Sequence, residues 1–266
     1  MTLLQEIVET KRRRIEAVKA KTDVDLLVES ALNARAVVGK RRLSEALTDG
    51  PTPNIIAEFK KASPSKGSIN PAANPRKVAL AYETSGAAAI SVLTEEDYFR
   101  GSLSDLKTIR KTVDLPVLRK DFVIDEFQIY EAAASGADAI LLIAAILTDR
   151  DLFRYREVAE DELGIDALIE VHTEEELDRA SSVGATLVGV NNRDLRTFEV
   201  SLDVSRKVIE SPLATNLKLV AESGLKSRKD VLELNGLGYA GFLIGGHLMA
   251  SDDPAKELKS LINGNG

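Results

Sequence analysis

The sequence predicts an α/β protein built as a single (β/α)8 barrel, the TIM-barrel architecture, with an N-terminal helical extension. Three observations predict it. From residue 55 onward, eight short apolar runs alternate with eight amphipathic segments. The runs begin roughly 20–33 residues apart, which suits one strand–loop–helix unit each. They are continuous in apolar character, as parallel strands buried on both faces require. A chain of 266 residues matches one such barrel. Residues 1–266 are therefore expected as one domain, with 1–50 as the extension.

The elements follow in order. Leu3, Leu4, Ile7, Val8, Ile15 and Val18 have helical spacing over residues 3–20. Further helical stretches lie near 24–34 and 43–48, too short to hold a core alone. The expected strands are Ile55–Phe59, Ala88–Leu93, Pro116–Arg119, Ala139–Ile143, Ala167–Val171, Thr186–Val190, Leu217–Ala221 and Gly241–Ile244. Helices are expected around 75–85, 103–112, 125–135, 149–163, 174–183, 201–211, 227–235 and 254–262. Asp125, Thr148, Thr173, Ser201 and Ser227 stand where N-caps belong. Ser85-Gly86-Ala87, Ser135-Gly136-Ala137 and Val183-Gly184-Ala185 each end a helix and enter a strand, a repeat at one structural position.

Composition narrows the function. A net charge of −7 argues against nucleic acid as the main partner, because a phosphate backbone needs concentrated positive charge. The run Lys11-Arg12-Arg13-Arg14 reads chiefly as a solvated helix face, with a partner surface or a role near the barrel mouth as the alternatives. With no cysteine, disulfides, thiolate metal ligands and thiol chemistry are excluded. No apolar run is long enough for a signal peptide or a membrane span, so a cytoplasmic location and no membrane partner are expected.

In such barrels the active site lies at the C-terminal ends of the strands. Those ends carry Glu58 and Lys60, Lys120, Glu170, Asn191 and Arg193, Glu222 and Ser223, and Gly245 and Gly246. Three carboxylates and two lysines at one mouth are expected to pair with each other or with substrate, since unpaired buried charge is costly. Glu58 and Lys60, two apart, point to one side of their strand. AESGL and FLIGGHLM end strands 7 and 8, the latter expected to enter a short helix. Glycines there let backbone N–H groups approach an anion, and a helix N-terminus favours it, so a small phosphorylated molecule is the expected partner. The loop KKASPSKGSIN after strand 1 reads as a lid bringing Lys60 and Ser63 to that molecule. His172 lies two beyond Glu170, but no third ligand has suitable spacing, so no metal is expected. His247 reads as structural.

AEFKKASPSKG, LTEEDYFRGS, LRKDFVID, LIEVH, GVNNRDL, VAESG and FLIGGHLM, in this order, resemble the indole-3-glycerol-phosphate synthase family over nearly the whole chain. The resemblance implies conversion of 1-(2-carboxyphenylamino)-1-deoxyribulose 5-phosphate to indole-3-glycerol phosphate, carbon dioxide and water in tryptophan biosynthesis, with no cofactor or metal. It implies Lys120 as the acid for ring closure, Glu58 as the base for dehydration, and either Lys60 or Glu170 as the acid for the departing hydroxyl. Asn191, Arg193 and Glu222 match the family's polar network. Ser63, Gly224, Gly245 and Gly246 match its phosphate pocket, with Ser223 beside the ribulose chain. Phe99, Phe122 and Leu142 match its wall for the anthranilate ring. Gly246 stands where a serine is frequent, and the AAIL stretch leaves strand 4 with little polar character at its end. A monomer is expected.

Two other enzyme readings compete. A phosphoribosylanthranilate-isomerase-type barrel uses a Cys–Asp pair, which a chain without cysteine cannot supply. A Schiff-base aldolase built on Lys120 would be trapped by borohydride with a carbonyl substrate. A ligand-binding barrel without catalysis is the non-enzyme reading, and the intact acid–base set argues against it.

Overall fold

Eight parallel strands close on themselves, each hydrogen-bonded to the next in sequence and the last to the first. A computed structural model describes residues 2–37, 42–48, 50, 52–194 and 197–264. The strands are β1 (Ile55–Phe59), β2 (Ala89–Leu93), β3 (Val117–Lys120), β4 (Ala139–Ile143), β5 (Asp166–Val171), β6 (Leu187–Asn191), β7 (Lys218–Glu222) and β8 (Gly241–Ile244). All eight expected runs are strands, with ends shifted by a residue where they differ.

The helices are α1 (Leu3–Lys19), α2 (Val24–Val37), α3 (Leu43–Ala46), α4 (Pro75–Thr84), α5 (Leu103–Arg110), α6 (Glu126–Ala134), α7 (Asp149–Glu157), α8 (Glu174–Ser182), α9 (Asp203–Glu210), α10 (Arg228–Leu237) and α11 (Pro254–Asn263). Asp125, Thr148, Thr173 and Ser227 cap their helices by accepting a backbone N–H. Ser201 does not cap: α9 starts at Asp203 after Leu202, although the Ser201 hydroxyl still accepts the Asp203 N–H at 3.2 Å. Gly86, Gly136 and Gly184 all have left-handed φ, 92°, 88° and 79°, as their shared place after a helix requires.

Alternation along each strand sends one residue toward the helices and the next into the lumen. In the lumen, Ile56, Leu118, Leu168 and Val220 of β1, β3, β5 and β7 make one hydrocarbon layer. Two residues further along the same four strands stand Glu58, Lys120, Glu170 and Glu222. Register sets Ser91 beside Glu58, Leu141 beside Leu168, Gly189 beside Glu170 and Leu243 beside Glu222, which supplies the intervening layer from the even strands. The charged residues are thus the upper tier of a packed barrel, resting on hydrocarbon.

The N-terminal extension embraces this barrel from mouth to floor. α1 crosses the mouth, where Leu4 and Ile7 face the central pocket. α2 packs along α6. Leu43 of α3 and Leu47 beyond it are fully buried with the lumen residues Ile56, Ala89, Ala139 and Val220 and close the floor. Each such burial contributes roughly 1.5–3 kcal/mol. Arg35 pairs with Asp138 at 3.0 Å and Arg42 with Asp166 at 3.1 Å, anchoring the end of α2 and the start of α3 to the underside.

Candidate active site

The upper tier forms an ion cluster. Lys120 Nζ lies 3.0 Å from Glu170 Oε2 and 3.2 Å from Glu222 Oε2. Glu58 Oε1 holds Lys60 Nζ at 2.5 Å, one step nearer the mouth. Asn191 donates from Nδ2 to Glu170 Oε1 at 3.2 Å, and its own Oδ1 accepts the Arg193 N–H at 3.0 Å. The second bond aims the amide nitrogen at Glu170. Glu222 Oε1 is buried against Gly189, with no hydrogen-bond partner among the described residues.

The protonation states follow from these contacts. Burial alone would lower the Lys120 pKa, but Glu170, Glu222 and Glu58 outweigh it and raise it above the ordinary lysine value. Lys120 is therefore an ammonium, a proton donor facing the pocket. Burial would raise the Glu170 pKa, yet Lys120 and His172 pull it below the usual carboxylate range. Glu222 is pushed up by burial and by the charge of Glu170, which Lys120 offsets only in part. Two carboxylates flanking one lysine are thus driven apart in acidity.

Above this tier is a cavity of about 580 Å³, the size of a small-molecule site. Phe99 and Phe122 make its aromatic wall, with ring centroids 6.1 Å apart and planes tilted by 43°. Ser63, Lys66, Gly224, Gly245 and Gly246 also line it. Ser223, at φ 64°, and Gly224, at φ 81°, are consecutive left-handed residues at the end of β7. For serine this conformation is strained, and strain of this kind concentrates at functional sites. A Cβ at Gly245 would collide with the carboxylate and stem of Glu58, so only glycine fits there.

A family model described as indole-3-glycerol phosphate synthase matches residues 4–261. The chain belongs to the indole-3-glycerol phosphate synthase family. It is 43% identical to the indole-3-glycerol phosphate synthase of Carboxydothermus hydrogenoformans over 97% of this chain and 99% of that one. It is 45% identical to that of Neisseria meningitidis serogroup B, over 97% and 98%. A crystal structure of 3-hexulose-6-phosphate synthase superposes with a TM-score of 0.59 at 16% identity, covering 79% of this chain and 99% of the other. At that identity the likeness concerns the barrel alone.

In this synthase-family barrel, Glu58, Lys60, Ser63, Phe99, Lys120, Phe122, Glu170, Asn191, Arg193, Glu222, Ser223, Gly224, Gly245 and Gly246 all line one pocket. Leu142 does not. It points outward into the core shared with Leu152, Tyr155 and Val158, while its neighbours Leu141 and Ile143 line the pocket. The run Ala139–Ile143 is apolar at every position, so the sequence carries no parity signal for that strand. The expected helix after Gly246 is a single turn, closed by the Met249 N–H on the Gly245 carbonyl at 2.9 Å. The loop after β1 is an antiparallel hairpin, Ala62–Ser63 against Gly67–Ser68. Leu195, the last residue of GVNNRDL, lies outside the described residues.

Sequence reasoning missed the role of Lys11. Arg12 and Arg13 are exposed as expected of a solvated face, but Lys11 is 3% exposed. Its Nζ lies 2.8 Å from Asp121 and 3.1 Å from Glu96. Arg14 reaches Asp97 at 2.7 Å. Glu95, Glu96 and Asp97 form a compact acidic group. It is accounted for: Glu95 accepts the N–H groups of Asp97, Tyr98 and Phe99, and α1 neutralises the other two.

Proposed function

We propose that this protein closes, decarboxylates and dehydrates 1-(2-carboxyphenylamino)-1-deoxyribulose 5-phosphate to indole-3-glycerol phosphate, with neither metal nor cofactor. The observation that carries the reading is the half-buried Lys120 ammonium, held between two carboxylates in a pocket that also has an aromatic wall and a glycine-rich anion cradle. Family membership and full-length relatives carrying that name support the same reaction.

The steps use the groups in turn. Phe99 and Phe122 flank the anthranilate ring, and Ser63, Gly224, Gly245 and Gly246 cradle the phosphate. The ring carbon bearing the carboxylate attacks the ribulose carbonyl, and Lys120 gives its proton to the oxygen as charge develops there. Carbon dioxide leaves and its bonding electrons restore the aromatic ring. Glu58 then takes the proton from the carbon beside nitrogen, while Glu170 or Lys60 protonates the departing hydroxyl. Asn191, Arg193 and Glu222 hold the substrate hydroxyls and the charged tier in register, and Ser223 borders the ribulose chain. Each placed acid or base is worth on the order of 10²–10⁴ in rate.

Among the described residues no helix is long and apolar enough to cross a membrane. We read the protein as a cytoplasmic monomer, residues 1–266 forming one barrel domain with 1–50 as its extension. The test is growth of indole fluorescence on adding the carboxyphenylamino-deoxyribulose phosphate to wild type and to Lys120→Ala. Growth in wild type alone is expected, with the circular dichroism of the variant unchanged. Growth in both would remove Lys120 as the essential acid, and growth in neither folded protein would sink the reading.

A further inference from the structure

The reaction proposed above consumes a proton. The substrate carboxylate leaves as neutral carbon dioxide and the former carbonyl oxygen leaves as water. Two protons are delivered, one to the carbonyl oxygen and one to the departing hydroxyl, and one is recovered from the carbon beside nitrogen. One proton per turnover must come from solvent.

Glu170 cannot supply the second proton unaided, because it enters the cycle ionised beside Lys120. Lys120 has given its proton to the carbonyl oxygen, and the Asn191 amide has none to give. Among the described residues, the other titratable group in direct contact with Glu170 is His172. Its Nε2 is buried without a hydrogen-bond partner among the described residues and lies 3.4 Å from Glu170 Oε1, the oxygen turned away from Lys120. On the other side of the ring, Nδ1 meets Glu176 Oε2 at 3.1 Å, and the same oxygen accepts the His172 backbone N–H at 2.7 Å. The imidazole is thus fixed between a carboxylate of the charged tier and one on α8. The other histidine, His247, is committed elsewhere, to Glu257 at 2.7 Å.

A second cavity, of about 670 Å³, opens beside this ring. His172 and Thr173 line it from the turn before α8, Glu176 from α8 itself, and Gln5 and Glu9 from α1. It meets the central pocket at Leu4 and Asn191, which border both. The cavity thus gives the His172–Glu176 pair an opening apart from the central pocket.

We propose that His172 is a positioning residue that acts through Glu170, passing to it the proton each turnover takes up, with the second cavity as the solvent side of that route. The proposal rests on the reaction assigned above and makes Glu170, rather than Lys60, the acid for dehydration. The charge environment suits a donor. Burial disfavours the imidazolium, but Glu176 and Glu170, with Glu222 behind them, outweigh it and raise the His172 pKa above its ordinary value. The groups facing the ring are Glu170 on β5, Glu176 on α8 and Glu222 on β7, while Glu9 of α1 and Asp194 after β6 line the adjoining cavity.

The fluorescence assay tests this with His172→Gln, His172→Ala and Glu176→Gln beside wild type. Product formation by wild type establishes the underlying reaction independently. His172→Gln keeps a polar side chain but carries no titratable proton, and its kcat is expected to fall about tenfold or more with KM within about twofold. Imidazole added to His172→Ala is expected to restore several-fold of the lost rate, in step with its protonated fraction. Glu176→Gln leaves the ring in place and removes a carboxylate from it. The alkaline limb of its kcat profile is expected about one unit lower than in wild type. Wild-type kcat in His172→Gln would overturn the proposal and favour Lys60 as the acid. A loss in kcat and KM together, without imidazole rescue or a shifted limb in Glu176→Gln, would overturn it by making His172 structural.

Discussion

At Gly189 a side chain is missing because Glu222 occupies its place: a Cβ there would collide with Glu222 Oε1. Gly189→Ala is therefore expected to push the carboxylate off Lys120, with a loss of about tenfold or more in kcat and a folded protein by circular dichroism. Unchanged kcat would mean that Glu222 does not need its present position. Much of the site at this scale is legible in the sequence, because polar side chains stand out at the ends of apolar strands. Glu58, Lys120, Glu170 and Glu222 are the examples. Leu142 shows where legibility ends. A strand buried on both faces presents the same chemistry to both, so which of Leu141 and Leu142 sees the pocket depends on register alone. His172 was visible as a residue, but its contact with Glu176 needs the turn into α8 to bring them together.

At the scale of elements, α1 is tied to the barrel mouth by charge as well as by Leu4 and Ile7. Lys11 inserts its ammonium between Asp121 and Glu96, and Lys19 pairs with Asp125 at 2.8 Å. Asp121 adjoins Lys120 in sequence and also receives Arg119 at 3.1 Å and the Thr94 hydroxyl at 2.6 Å. Lys11→Met is expected to destabilise the protein by about 3 kcal/mol, the cost of leaving a buried charge with one partner removed. Urea unfolding would register it as a lower midpoint, and an unchanged midpoint would show that Arg119 alone suffices. The pH dependence has a definite sign. Burial would raise the Asp121 pKa, but Lys11 and Arg119 lower it on balance; burial would lower that of Lys11, but Asp121 and Glu96 raise it. The pair's contribution is thus complete between about pH 4 and pH 10. It is lost as pH falls through the depressed carboxylate value or rises through the elevated lysine value. The sequence placed the helix correctly but not its buried cation, because lysine in a basic run most often faces water and the partners lie far along the chain, at 96 and 121.

For the whole molecule, the tiered lumen decides how stability and activity relate. Ile56, Leu118, Leu168 and Val220 hold the barrel together, and the charged tier above them contributes desolvated groups whose mutual attraction outweighs burial at Lys120 and Glu170 but offsets it only in part at Glu222. Replacing the triad by Lys120→Met, Glu170→Leu and Glu222→Leu together is expected to leave the barrel as stable or more so, by about 1–4 kcal/mol, while turnover disappears. Thermal unfolding of the triple variant measures this, and a marked loss of stability would show the triad to be structural. The barrel itself was the most legible feature, since its apolar runs recur eight times and each occurrence supports the others. Its closure also gives positions 58, 120, 170 and 222 the status of an address. Each lies one strand repeat above a hydrocarbon anchor, so whatever chemistry is written at those four places is delivered to the same chamber. New reactions can then arise on this backbone by rewriting a handful of letters, while the text that specifies the fold stays as it is.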